Sequence, residues 1–208
     1  MKLGGMMLGE SPHNRGILFV CTGNICRSPY AERRLRQLLP DSGIPIASAG
    51  TGAVVASDIE EATSEQLRRL GADVTGFAAR DVTPKLLDGA ELVLTMTRAH
   101  RADVARLRPA AMRRIFALGD FADLCRASAA WRPIAPSRPW LPQVVTEAAA
   151  ARGTVAPRDA SEVDVVDPYG RSARTHIEAF DRIEDFLAVV VAAMGTVAGS
   201  SRATARRT

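Results

Sequence analysis

The chain has 208 residues, 47% of them hydrophobic, and a formal charge of +4 at neutral pH, enough for one well-buried domain and short for two. Its basic character comes mostly from arginines scattered along the chain, with no stacked-aromatic platform or nucleic-acid motif beside them, which argues against a nucleic-acid partner. No apolar run approaches a membrane span, and three cysteines, Cys21 and Cys26 lying close together, do not make a disulfide framework, so a reducing, cytoplasmic setting is expected.

Residues 1–15 hold one lysine and no sustained apolar stretch, and read as a flexible lead rather than an export signal. Ile17–Val20 is a short, continuous, β-rich apolar run, the pattern of a strand covered on both faces. Pro29 suits a first helical turn, and Ala31, Leu35, Leu38 and Leu39 recur at helical spacing until Pro40. Ile44–Ala49 reads as a second strand. Asp58 to Leu70 reads as a helix with Ala62, Leu67 and Leu70 inward, closed by Gly71. A short helix at Pro84–Leu87 precedes a third strand, "AELVLTM". Thr97 to Leu107 is helical, and "RRIFAL" makes a fourth strand.

Residues 126–161 fit this alternation poorly. They include Pro133, Pro136, Pro139 and Pro142 followed by an alanine-rich stretch, and read as an extended or partly helical insertion outside the core. A long helix spans about Ser172–Met194, with Ile177, Phe180, Ile183, Leu187, Val190 and Met194 on one face. The small, basic residues 195–208 read as a disordered tail. Strand and helix units in this order predict an α/β fold whose four-stranded parallel sheet is flanked by helices on both faces. The domain proper is then 16–194, with 126–161 inserted in it.

The seam between the first strand and first helix, "VCTGNICRSP", carries the chemistry. Parallel sheets place ligand sites at the carboxyl ends of strands, beside helix N-termini. Cys21 falls at such an end, and the backbone N–H groups from Thr22 to Ser28, through Gly23, Asn24, Ile25, Cys26 and Arg27, can curl around a tetrahedral anion. Gly23 permits a tight turn, and Asn24 tolerates left-handed geometry while its amide braces the loop. Arg27 can fork two N–H groups onto phosphate oxygens. The positive field favours Cys21 as a thiolate nucleophile, and Ser28 can donate a hydrogen bond to it.

This segment resembles the signature loop of the low-molecular-weight protein tyrosine phosphatase family. "SAG" at Ser48–Gly50 is similar to the family segment whose serine supports the loop asparagine, and "LVLTMTRAH" and the last helix look like family elements. The resemblance implies a phosphate-binding loop between the first strand and first helix, and hydrolysis of protein phosphotyrosine through a phosphocysteine intermediate. No metal and no cofactor are implied. Asp167 in "VVDPYG" then corresponds to the general acid, with Pro168 stiffening the loop and Tyr169 stacking on a substrate ring. The implied partners are a phosphotyrosine-bearing protein substrate and, as a further candidate, a tyrosine kinase.

The sequence departs from the family at three places. Val54 stands where an aromatic cleft wall is frequent, Phe77 replaces a common histidine, and the insertion precedes the acid loop. Ile25 occupies the position where phosphoarginine-specific relatives carry threonine, which points to tyrosine. Two other functions compete. Arsenate reduction on this fold passes oxidation through two further cysteines, and only Cys125 lies beyond the loop. A non-catalytic phosphate binder would need neither nucleophile nor acid. Cys26 reads either as a thiol that traps oxidised Cys21 in a disulfide or as an apolar packing residue. His13, His100 and His176 lack metal-ligand spacing and read as surface or helix residues. Trp131 and Trp140 flank the proline cluster as a local hydrophobic anchor.

Overall fold

The protein's structure, a computed structural model, describes residues 15–127 and 140–195. The expected lead and tail, apart from Arg15 and Gly195, and the segment holding Trp131 lie outside the described residues. The first strand, β1 (Gly16–Cys21), is buried along its whole length. It pairs in parallel with β2 (Ile46–Gly50) on one side and β3 (Ala90–Thr95) on the other, and β3 pairs with β4 (Ile115–Ala117). The sheet is four-stranded and parallel, as expected from the alternating units, and its order is β2-β1-β3-β4.

Alternation along β1 divides the apolar residues between two cores. Ile17, Phe19 and Cys21 point to one face, where they join Leu35 of α1 (Arg27–Leu38), Phe121 of α5 (Leu118–Ala127) and Ile183 of α8 (Ala173–Gly195). Leu18 and Val20 point to the other, against Leu87 of α3 (Pro84–Asp88) and Val104 of α4 (Arg98–Leu107). Each such fully buried side chain contributes about 1.5–3 kcal/mol, which is why the central strand is apolar at successive positions rather than alternate ones. The strand ends where the loop must turn, and Cys21 is its last residue.

Several expectations shift. Helix α2 covers only Glu61–Arg69, with the Glu60 carboxylate accepting from the Ala62 and Thr63 N–H groups. The later start brings Thr63, Ser64 and Leu67 inward and leaves Ala62 and Leu70 exposed, correcting the predicted face. On α8, Ile177 is exposed, and His176 takes its place on the buried stripe, edge-on to Phe180. Helix α5 follows β4 without a connecting turn, so no Gly or Pro signal announced it.

The largest correction concerns 126–161. Helix α6 (Trp140–Ala150) sends Leu141, Val144, Val145 and Ala148 into the main core, at a spacing of three to four residues. A short helix, α7 (Ala160–Val163), then leads into the segment before Asp167. Gly119 on α5 sits so close to this connection that a Cβ would meet the Val163 carbonyl oxygen at 2.6 Å. The inserted residues are thus part of the domain's packing. Leu141→Ala should cost about 2–5 kcal/mol of folding stability, as a core truncation and not a surface change does; urea unfolding checks this, and a loss below about 0.5 kcal/mol would place α6 outside the cooperative core.

Candidate active site

The loop from Cys21 to Ser28 is shaped by what its carbonyl groups do. The carbonyls of Cys21, Thr22, Gly23 and Ile25 accept from the N–H groups of Thr51, Gly52, Val54 and Glu60 at 2.9–3.1 Å. With the carbonyls turned outward to that neighbouring segment, the N–H groups of Thr22 to Cys26 have no protein acceptor among the described residues. Helix α1 adds its own N-terminus, which has no side-chain cap and no acidic residue in its first turn. Free amides and an uncapped helix start facing one point form an anion site.

The left-handed position in this turn is Asn24, with φ of 54°; Gly23 is not in that region. Asn24 is fully buried, and its side chain is saturated. Its Nδ2 donates to Ser48 Oγ at 2.8 Å and Ser28 Oγ at 3.0 Å, while its Oδ1 accepts from the Arg80 N–H at 2.9 Å. Ser48 in turn donates to Glu32 Oε2 at 2.6 Å, and Glu32 pairs with Arg36 at 2.8 Å. Gly50 is required by close approach: a Cβ there would lie 2.2 Å from the Thr22 carbonyl oxygen.

At the base of the loop, Cys21 Sγ lies 3.0 Å from Ser28 Oγ. Arg27 is buried, donates to the Val165 carbonyl at 3.2 Å and pairs with Asp167 at 2.6 Å. Asp167 itself is half exposed at the mouth, beside an exposed Tyr169 whose N–H donates to its Oδ1 at 3.3 Å. A cavity of about 210 Å³ joins these groups, with Cys21 and Arg27 below and Val54 and Tyr169 on its walls. The structure therefore brings Cys21, Arg27 and Asp167 into one cleft, although Asp167 is 146 positions from the cysteine (167 − 21 = 146). Thr22, Gly23, Ile25 and Cys26 also line it, and Asn24, Ser28 and Ser48 stand behind. Among the described residues, no group of three or more His, Cys, Asp or Glu is placed to hold a metal ion.

Cys26 is buried with Ile25 and Ala79, and its thiol is pushed up to about 12, first by burial and then by Glu60. It is therefore protonated at neutral pH and packed as an apolar group. His100 is the residue the sequence did not bring forward. It is buried on α4, hydrogen-bonded to Thr22 Oγ1 at 2.9 Å and to Thr97 Oγ1 at 2.7 Å. Burial, then the nearby Arg27, lower its pKa, so the ring bracing Thr22 is neutral. Only its position three residues after a helix-capping threonine hints at this role. Arg80 and Glu32 carry no sequence signal of their own, and the fold places them behind the loop.

A cysteine beneath inward-facing amides, with an arginine and a carboxylate at the rim, defines a site for covalent handling of a phosphoryl group. Residues 16–139 match the family model for low molecular weight phosphotyrosine protein phosphatase, and the chain belongs to that family. Over 95 residues it is 43% identical to a low molecular weight protein-tyrosine-phosphatase of Klebsiella pneumoniae, a match covering 46% of this chain and 65% of the relative. Among solved structures it is similar to the tyrosine phosphatase AmsI of Erwinia amylovora, with a TM-score of 0.63 and 25% identity over 86% of this chain and 93% of that one. The YwlE arginine phosphatase from Geobacillus stearothermophilus shares the fold, with a TM-score of 0.60 and 23% identity over 86% and 92% of the two chains.

The His100 geometry makes a pH prediction. A folded-state pKa below the ordinary 6.5 means the neutral ring contributes stability that is present above that pH and lost as pH falls through the depressed value. On acidification from neutrality to about pH 5, the thermal midpoint of the wild type should therefore fall further than that of His100→Gln. The other histidines are common to both proteins, so the difference between the two curves isolates His100; parallel curves would remove it from the loop's electrostatics.

Proposed function

We propose that this protein hydrolyses phosphotyrosine on protein substrates through a phosphocysteine intermediate. The observation that carries the reading is the pairing of Arg27 with Asp167 at 2.6 Å in the cavity that Cys21 also lines. The entering phosphate dianion takes the Arg27 fork and the loop amides, which hold its equatorial oxygens. Asp167, released from Arg27 at the mouth of the cleft, is the general acid for the leaving oxygen. Cys21 attacks phosphorus in line, the bond to the phenolic oxygen breaks, and the Asp167 proton passes to that oxygen. Ser28 supports the thiolate. In the second step Asp167 takes a proton from water, the resulting hydroxide attacks phosphorus, the P–S bond breaks, and inorganic phosphate leaves.

Substrate choice follows from the walls. Tyr169 offers a ring for stacking, and Ile25 and Val54 give the mouth an apolar lining suited to an aryl group rather than a guanidinium. The fold is shared with an arginine phosphatase, so it does not distinguish the two substrates; the wall residues favour the aromatic one. Arsenate reduction is not favoured. Cys125 is buried on α5, its thiol pushed up to about 12 by burial, which leaves no reactive thiol beyond the loop for a relay. Among the described residues no helix is long and apolar enough to cross a membrane. We place the enzyme in the cytoplasm, acting on tyrosine-phosphorylated proteins, a tyrosine kinase among them.

Wild-type protein should cleave a phosphotyrosine peptide faster than its phosphoarginine counterpart, and Cys21→Ser should abolish turnover while retaining phosphate binding, because the amides and Arg27 remain. Phosphate release and calorimetry measure the two properties; faster phosphoarginine cleavage would reverse the substrate assignment, and turnover within about tenfold of wild type in the variant would exclude Cys21 as nucleophile. Asp167→Asn should slow hydrolysis by about 10²–10⁴ for esters with poor leaving groups and far less for activated aryl phosphates. A leaving-group series checks this, and equal losses throughout would move the acid elsewhere.

A further inference from the structure

The inserted residues do more than complete the core. Between α6 and α7 the chain passes over the end of β4, and Gly153–Pro157 close a second cavity of about 330 Å³ against α4, β4 and α5. It shares no lining residue with the cleft over Cys21. Its floor is apolar, with Phe116 and Leu124 facing Val155 and Pro157.

The charges around that floor do not balance. Three arginines and two aspartates line it, one net positive charge. Arg98 is paired with Asp120 at 2.7 Å, and Asp123 is taken by Arg158 at 2.8 Å and Arg126 at 2.9 Å. Arg101 and Arg152 are left without a carboxylate partner among the described residues. Arg152 donates to the Met112 and Ile115 carbonyls at 3.0 and 2.6 Å, and lies over the Phe116 ring at 3.9 Å. Arg101 reaches the same Ile115 carbonyl at 3.4 Å. Burial, with Arg101 and Arg113 adding repulsion, pushes the Arg152 guanidinium down to about 10. The chain outside the described residues holds a single acidic side chain, Glu10, so the residues joining α5 to α6 have no carboxylate to supply.

Two arginines without carboxylate partners beside an aromatic floor call for an anion carrying an apolar body. We propose that this cavity is a binding site for a small organic carboxylate, its apolar body against Phe116 and Val155 and its carboxylate on Arg101 and Arg152. A carboxylate accepts two forked N–H groups while its organic body covers the apolar floor, whereas inorganic phosphate has nothing to place there. The site lies behind the acid-bearing segment: the Arg98 backbone N–H donates to Asp164 Oδ1 at 2.9 Å, and its side chain donates to the Arg158 carbonyl at 2.9 Å. The occupant therefore touches the same arginine that holds the approach to Asp167. The assignment stands independently of the reaction at Cys21.

The test is a titration of the full chain with naphthoate, followed by backbone amide shifts, with the loop around Cys21 saturated by inorganic phosphate. Saturable shifts centred on Ala117, Gly153 and Ala156 are expected, and the uncharged naphthamide should bind at least about tenfold more weakly, the loss of roughly one charge-assisted contact. Arg152→Gln should weaken naphthoate by a similar factor. Arg152 also holds two carbonyls, so Arg101→Gln and Ala156→Phe, which fills the cavity from an exposed position, supply variants whose folding is not at risk. Shifts confined to the Cys21–Ser28 loop, equal affinity for the amide, or naphthoate affinity unchanged in Arg101→Gln and Ala156→Phe would each overturn the assignment.

Discussion

The side chain of Asn24 holds the candidate catalytic loop in its working shape. Its backbone is left-handed, a conformation costly for residues other than glycine, and its carboxamide offsets that cost with bonds to Ser48, Ser28 and the Arg80 N–H. An unpaired amide at this fully buried position would cost about 1–3 kcal/mol, so the network and the turn stand or fall together. With Asn24 in place, the loop carbonyls meet the N–H groups of the segment after β2, and the loop amides are left to converge above Cys21. Ser48 carries the constraint to the buried Glu32, which ties the loop to the middle of α1.

Electrostatics at the rim follows the same logic of partners held in waiting. Arg27 is buried and restrained by the Val165 carbonyl, so its guanidinium is aimed before any anion arrives. Its ion pair with half-exposed Asp167 is the kind of contact a phosphate dianion displaces, because two charges of substrate compete with one of carboxylate. His100 stays neutral beside that arginine and braces Thr22, which keeps an additional positive charge away from the loop.

Helix α6 belongs to the main core and not to the surface. Leu141, Val144, Val145 and Ala148 bury one face of α6 in the main core, on the side of the sheet that also holds α1, α5 and α8. The path from α6 to α7 then runs beside the end of β4 and lines a cavity in which Arg98 meets Asp120, while Arg101 and Arg152 have no carboxylate partner among the described residues. This cavity shares no lining residue with the cleft over Cys21.

Much of the architecture is local and therefore legible from residues alone. Apolar strands that are buried on both faces, a glycine and an asparagine in the turn, and Pro29 at a helix start fix the β1–loop–α1 unit through short-range sterics and backbone hydrogen bonding. "VCTGNICRSP" suggests a phosphate cradle by its residue types at a strand–helix junction, whereas "DPYG" alone reads as a turn and takes its role only from the family resemblance. Other features depend on partners distant in sequence. The burial of His100 against Thr22, the support of Asn24 by Arg80 and of Ser48 by Glu32, and the exposure of Ile177 while His176 turns inward all depend on how helices settle against the sheet. Helical period specifies a face only to within one residue, and proline-rich composition conceals the amphipathic α6 beyond it. The sequence by itself determined the sheet, the loop and the candidate residues around it; only the tertiary structure decided which charges lost their water and which neighbours replaced it, because desolvation is a property of packing and not of spacing.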